Sequence, residues 1–149
     1  VNIIRKHRLW ECFLHKILEL PMEHLHKEAE NLEHQTSDYL AGALERYLNY
    51  PRFDPHGDPI PDKEGQFPQR QNEIQLSEAE AGTQCTITRV YVKDAELMAY
   101  LEEEGISLNK SINIHKYLKA EASLLIEVDG KKLLLPEAVY GNIFVHPEQ

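Results

Sequence analysis

The segment His26-Lys27-Glu28-Ala29-Glu30-Asn31-Leu32-Glu33-His34 concentrates imidazoles and carboxylates. On a helix, His26, Glu30, Glu33 and His34 are related by steps of three and four, so their side chains emerge on one side. Such a face is an array of divalent-metal donors. An earlier helical stretch offers a second pair, His7 and Glu11, at the i,i+4 spacing. Packed against the first set, the pair completes a nitrogen and oxygen site suited to Mn, Fe, Co, Ni or Zn. Spacing alone leaves a plainer alternative open, because Glu and His at helical intervals on an acidic helix also make an ordinary solvated face. Bundled di-iron carboxylate proteins use similar steps, but they need equivalent motifs from other helices, and this chain has only one.

Three pieces must position these residues. In the first, Trp10, Phe13, Leu14, Ile17 and Leu18 form one apolar stripe. A break follows at Glu19-Leu20-Pro21, with Pro tolerated in the first turn of the next helix. Met22, Leu25, Ala29 and Leu32 make the second stripe, and Thr36 and Ser37 are candidate caps for a third helix carrying Leu40, Leu44, Tyr47 and Leu48. Three short apolar helices are poorly covered alone, so the first and third are expected to build a homodimer interface. Trp10 and Phe13 belong to the core or that interface. Cys12, about 100° around the helix from Glu11, reads as buried packing.

Between Pro51 and Pro61 there are four prolines in eleven positions, which excludes a regular helix and makes Pro55-His56-Gly57-Asp58-Pro59 a run of turns. The third piece carries β-branched residues over Thr83 to Val92, a short helix from Asp94 to Glu103, and strands at Ile112 to Tyr117, Ser123 to Val128, Lys131 to Leu135 and Ile143 to Val145. Asp129-Gly130 is a two-residue hairpin signal, and Pro136 to Tyr140 a turn or helical bend. The expected fold is α+β. A helical dimerisation and metal-binding domain (1–50) is followed by a proline-rich loop and linker (51–75) and a small, strongly bent sheet or barrel (76–149).

Sixteen Lys and Arg against 25 Asp and Glu give a net charge of −9, the wrong sign for a surface that neutralises phosphates by itself. No apolar run approaches the roughly 18–20 residues of a membrane span. No leader is readable, so a cytoplasmic location is expected, and the two cysteines read as reduced, not bridged. The chain opens at Val1 directly in a helical pattern, as if entered partway through a larger protein.

Three ordered strings, Arg5-Lys6-His7-Arg8-Leu9-Trp10-Glu11, His26 through His34, and Asp54-Pro55-His56-Gly57-Asp58-Pro59-Ile60-Pro61, resemble the diphtheria toxin repressor family of iron- and manganese-dependent regulators. The resemblance continues into the third piece, which looks like that family's SH3-like, FeoA-like C-terminal domain, and so covers essentially the whole chain. It implies a primary metal site at Glu30, Glu33 and His34. The Glu30 position is Cys in the iron-responsive branch and Glu in the manganese-responsive one, and carboxylate for thiolate hardens the site. It implies a second site at His7, Glu11 and His26, to which the loop positions Asp54 and His56 and the accessory-domain residue Asp94 can contribute. Asp54 stands where the family has Cys. His56 has a rival reading as a turn residue, and Asp94 as a helix cap.

The resemblance implies a manganese-dependent repressor of metal homeostasis, with Mn(II) first, Fe(II) second, and other divalent transition metals able to substitute in vitro. Operator DNA would be met only through the family's N-terminal winged helix-turn-helix, which this sequence does not contain. No membrane, small organic substrate or catalytic step is implied. Two alternatives from other classes are an interaction module whose barrel binds a peptide, and a small metal hydrolase built on Glu30, Glu33 and His34.

Overall fold

A break in helical pattern at Pro21 and a capping serine at position 37 divide the N-terminal residues into three helices in the computed structural model, which describes residues 2–70 and 72–148. They are α1 (Asn2–Lys16), α2 (Met22–Glu33) and α3 (Asp38–Tyr47). After α1, Glu19 takes a left-handed conformation (φ 58°) and the Leu20 amide donates to the Leu14 carbonyl, closing the helix end before Pro21. Ser37 caps α3 by accepting from the Leu40 amide. Thr36, the other expected cap, does something else. Its hydroxyl donates to the Leu32 carbonyl (2.8 Å) and accepts from Trp10 Nε1 (2.7 Å), fastening the end of α2 to α1.

The chain falls into two compact units, Val1–Gln69 and Arg70–Gln149. The range read as linker, 51–75, is therefore divided between them. Val1, Gln71 and Gln149, which fall in the ranges 1–50, 51–75 and 76–149, lie outside the described residues.

In the first unit, Leu9 and Cys12 of α1 pack with Ala41, Leu44 and Leu48 and with Ile60 of the loop, while Leu14 meets Leu25 and Ala29 of α2. Of the expected stripes, Ile17, Leu18, Leu40 and Tyr47 remain exposed. The proline-rich segment is ordered as a tight turn, with Phe53 bridged to Pro59 and the Asp54 amide donating to Asp58. Gly57 occupies its left-handed position (φ 94°). Two groups of α1 hold this turn: Arg8 donates to the Pro59 carbonyl (2.6 Å), and the Cys12 thiol to that of Phe53.

The second unit contains β1 (Ile74–Gln75), β2 (Gln84–Val90), α4 (Ala95–Glu103), β3 (Ser111–Leu118), β4 (Ser123–Val128), β5 (Lys131–Pro136), α5 (Glu137–Tyr140) and β6 (Ile143–Pro147). The strands form one antiparallel sheet in the order β1-β6-β2-β3-β4-β5. Register shifts at Ile87/Arg89 and Ile114/Lys116 bend it. Asp129 and Gly130 both have positive φ (51° and 76°), as the β4–β5 hairpin requires. Ile87, Ile112, Ile114, Leu124, Ile126, Ile143 and Val145 fill the core. β1 lies inside the stretch expected to be linker, and it is fixed by pairing with β6 across 70 residues of sequence. Among the described residues no helix is long and apolar enough to cross a membrane.

The Thr36 fastening yields an expected result. Thr36→Val takes the acceptor from the half-buried Trp10 N–H, which costs up to about 1–3 kcal/mol. Urea unfolding followed by the fluorescence of this single tryptophan would register the loss, and a change below about 0.5 kcal/mol would show that the fastening contributes nothing.

Candidate metal centre

On α1, residues 7 and 11 are one turn apart and face the same way, so His7 Nε2 sits 3.3 Å from Glu11 Oε2. His26 and Glu30 repeat this relation on α2, at 3.7 Å. Packing of α1 on α2 brings the His7 and His26 rings edge to face, with centroids 4.9 Å apart. The loop turn completes the array from a third direction, bringing His56 Nδ1 to 3.5 Å from the same Glu11 Oε2.

Two sets of donors converge closely enough for one cation each. His7, Glu11 and His26 form one, Glu11, Asp54 and His56 the other, with donor atoms within 4.8 Å of one another in each set. Glu11 belongs to both. Glu30, Glu33 and His34 are not brought to such a point. Glu30 and His34, one turn apart, face outward, whereas Glu33 is turned toward α1, where Oε1 meets His7 Nδ1 at 2.6 Å. Its other oxygen is 3.3 Å from His34 Nε2. Asp94 lies in the second unit, where its carboxylate caps α4 by accepting from the Leu97 amide (3.0 Å).

Burial separates the two ends of the array. The Glu11 and His56 side chains are only 3% and 2% exposed. Glu30 is 61% and His34 68% exposed. At the buried end, Asp54 Oδ1 accepts from the amides of His56 and Asp58, an arrangement that shapes the turn. Asp54 Oδ2 is also buried, and no donor reaches it when Asp54 is ionised. Two buried carboxylates side by side are costly to ionise together unless a positive charge joins them.

The titration behaviour follows from this crowding. Burial, and after it the neighbouring Glu11 carboxylate, push Asp54 well above the usual carboxylate range. Burial also pushes Glu11 up, but hydrogen bonds with His56, His7 and Asp54 outweigh it and hold Glu11 below that range. For His7, burial favours the neutral ring, yet Glu11 and Glu33 together carry its pKa above 6.5. The donor set fits a divalent cation: all atoms are nitrogen or oxygen, which suits Mn(II) or Fe(II) better than thiol-seeking ions. Cys12, the nearest thiol in sequence, is buried and raised to about 12 by that burial, so it remains a neutral packing group.

Neither the Thr36 fastening nor the Arg8 hold on the loop was legible in the sequence, because each joins residues 26 or more positions apart.

Residues 1–62 match the family described as iron dependent repressor, metal binding and dimerisation domain, and residues 74–147 match the FeoA domain. The iron-dependent repressor IdeR of Mycobacterium tuberculosis is 30% identical over 125 residues, covering 76% of this chain and 54% of the relative. The chain thus spans about half the length of the curated relatives it matches. A solved manganese-dependent transcriptional repressor in complex with manganese superposes with a TM-score of 0.92 at 31% identity, covering 99% of this chain and 70% of the other. A structure of ScaR with bound Zn2+ gives 0.85 at 34%, covering 97% and 71%.

Proposed function

Because the chain belongs to the diphtheria toxin repressor family of iron- and manganese-dependent regulators, we propose that it is the metal-sensing and dimerising portion of a manganese-dependent transcriptional repressor acting in the cytoplasm. The observation that carries this is the buried convergence of Glu11, Asp54 and His56, two of them carboxylates. Glu11 and His7 of α1, His26 of α2, and Asp54 and His56 of the loop would hold the cation. When bound, it supplies the positive charge that two buried carboxylates lack.

These residues act by tying three segments together. Each donor set draws on segments separated in sequence, so ligation favours one relative placement of α1, α2 and the loop over others. In a two-fold dimer this fixes the geometry with which a DNA-binding domain meets a palindromic operator. The operator contact is assigned to residues outside this sequence, since a net charge of −9 does not draw DNA. Glu30 and His34 form the exposed part of the sensing array and Glu33 links them to His7, and Asp94 is assigned the helix cap alone.

Manganese is preferred because Glu30 and Asp54 put carboxylates where thiolates would favour softer ions, and the manganese-dependent relative supports that choice. Iron(II) is the second reading, favoured by the similarity to an iron-dependent repressor. A hydrolase on Glu30, Glu33 and His34 would need those donors to converge on one cation with an open face, whereas Glu30 and His34 face outward and Glu33 is turned to His7.

Anaerobic calorimetric titration with Mn(II) and Fe(II) tests this. Binding is expected, with Glu11→Ala removing most of the heat because Glu11 serves both donor sets, and Glu30→Ala leaving most of it. The loss for Glu11→Ala should exceed the roughly 10–100-fold typical of second-shell changes. Absence of binding by either metal, with His34→Ala indistinguishable from the parent in stability and dimerisation, would favour the interaction-module reading instead.

A further inference from the structure

Away from the metal donors, the first unit holds an open cavity of about 720 Å³ between the start of α1, one face of α3 and the turn at residues 62–65. That volume is within the roughly 300–1,000 Å³ of small-molecule sites. None of the residues lining it belongs to either donor set.

Asp38, Gly42 and Arg46 stand four positions apart and so share the face of α3 that lines the cavity. A Cβ placed on Gly42 would meet Arg46 Nη1 at 3.9 Å, so the guanidinium is folded back over the notch that the glycine leaves. Arg5 of α1, 4% exposed, lines the same cavity. It donates through Nη1 (3.0 Å) and Nη2 (3.1 Å) to Glu45, which leaves an outer N–H on each nitrogen. Two guanidinium groups thus face the cavity, and Glu45 is engaged with the buried one.

The rim has the opposite sign. Asp38, its side chain 83% exposed, accepts from Asn2 and pairs with Lys6, both through Oδ1. Asp62 Oδ1 accepts from the Glu64 and Gln66 amides, closing the turn in which Gly65 takes φ 84°. Each of these carboxylates has a second oxygen outside those contacts. Glu64 adds a further carboxylate on the turn, and Lys63 a cation beside it. A phosphate dianion is opposed by such a rim, and a simple amine by the guanidinium groups within. A zwitterion complements both. Because the Arg46 guanidinium lies over Gly42, it is one helical turn, roughly 6 Å, from Asp38, a gap that the adjoining carboxylate and ammonium of an α-amino acid bridge.

We propose that this cavity binds a free apolar amino acid, with its carboxylate on Arg46 and the outer N–H groups of Arg5, its ammonium on Asp38, and its side chain against the Tyr39 ring. Guanidinium and carboxylate match in charge and in planar geometry. Gly42 leaves room for the ligand backbone, and the exposed Tyr39 ring supplies an apolar wall. The site is distinct from the exposed apolar stripe of α3: Leu40 is two positions before Gly42, about 200° round the helix. A ligand here touches α1, α3 and the turn together, so its binding stabilises the first unit.

The test is a nuclear magnetic resonance titration of the 15N-labelled chain with L-leucine, following the amides of Gly42 and Gly65. Both signals are expected to shift saturably. Two probes each lack one charge: 4-methylpentanoate is leucine without its ammonium, and 3-methylbutylamine is leucine without its carboxylate. Each should bind about tenfold or more weakly, the effect of one lost charged hydrogen bond. Arg46→Gln should weaken leucine binding by a similar factor. Gly42→Leu fills the notch and should abolish binding without lowering the melting temperature, since leucine favours a helix more than glycine does and meets only the flexible end of Arg46. Absence of a saturable shift with leucine overturns the proposal. So does either single-charge probe binding as tightly as leucine, or undiminished leucine binding by Arg46→Gln or by a folded Gly42→Leu chain.

Discussion

Asp54→Asn is expected to raise the melting temperature of the metal-free chain and to abolish most of its stabilisation by Mn(II). The side chain has two separable duties. Its Oδ1 accepts from the amides of His56 and Asp58 and so shapes the turn, a role the Asn carbonyl keeps. Its Oδ2 lies buried in the donor set it shares with Glu11 and His56, where no donor reaches it once Asp54 is ionised, and there the Asn amide would supply one at every pH. The same change removes an anionic ligand. At a Mn(II) concentration about 100 times Kd, the parent should gain about 2.7 kcal/mol, roughly 10 °C or more in a domain of this size. Thermal melts with and without Mn(II) read both effects. A variant that melts lower without metal would show that the carboxylate serves the turn, and an undiminished metal shift would place the cation elsewhere.

The pH dependence of the metal-free chain has opposite signs at neighbouring carboxylates. Asp54 binds its proton more tightly folded than unfolded, so its contribution to stability is present below the ordinary carboxylate range and falls as pH rises through its elevated pKa. Raised in the same sense, His7 stabilises below its unfolded pKa and loses that contribution as pH climbs through the folded one. Glu11, depressed, behaves the other way: its contribution is present above the ordinary carboxylate range and disappears only in strong acid. Between about pH 5 and pH 8, Asp54 and His7 therefore dominate, and metal-free stability should decline with rising pH, less steeply in Asp54→Asn. Melts across that range check it. With Mn(II) present the slope should reverse, because protons compete for the ligands.

Legibility in the sequence tracked the range of the interaction responsible. Pro21, Ser37 and the Asp129-Gly130 pair each act on their own few residues, and the corresponding helix break, cap and hairpin stand where local chemistry puts them. His7 with Glu11, and His26 with Glu30, are equally local, one helical turn each. The orientation of Glu33 toward His7 was not legible, because Glu33 stands three positions after Glu30 and the packing of α1 decides which way it turns. Asp54 and His56 reach Glu11 across more than forty residues, through a turn anchored by Arg8 and Cys12, and only the family resemblance placed them near the site. β1, two residues long, has no pattern of its own and exists because β6 offers it an edge.

The exposed apolar stripe on α3 leads to the second large effect. Leu40 and Tyr47 are spaced to share a face of that helix, and they stay 43% and 67% exposed although each belongs to an apolar pattern. Phe13 of α1 rests against Tyr47 with ring centroids 6.2 Å apart, and Ile17, in the turn just after α1, is also exposed. A contiguous aromatic and aliphatic surface of this kind calls for a partner, and the family matched by residues 1–62 is described as a dimerisation domain. A second copy of the chain is the proposed partner. Tyr47→Glu is then expected to weaken self-association by at least about 30-fold, since a buried aromatic anchor contributes on the order of 2 kcal/mol or more and each 1.4 kcal/mol is tenfold. Leu40→Glu should weaken it further, less than additively because the two side chains share one patch. Since both residues are exposed in the single chain, neither substitution should lower its unfolding free energy by more than about 0.5 kcal/mol at concentrations where it is monomeric. Sedimentation equilibrium of the parent and both variants measures the association. An unchanged dimer would move the interface to another face, and a monomeric parent would remove the dimer from the proposal altogether.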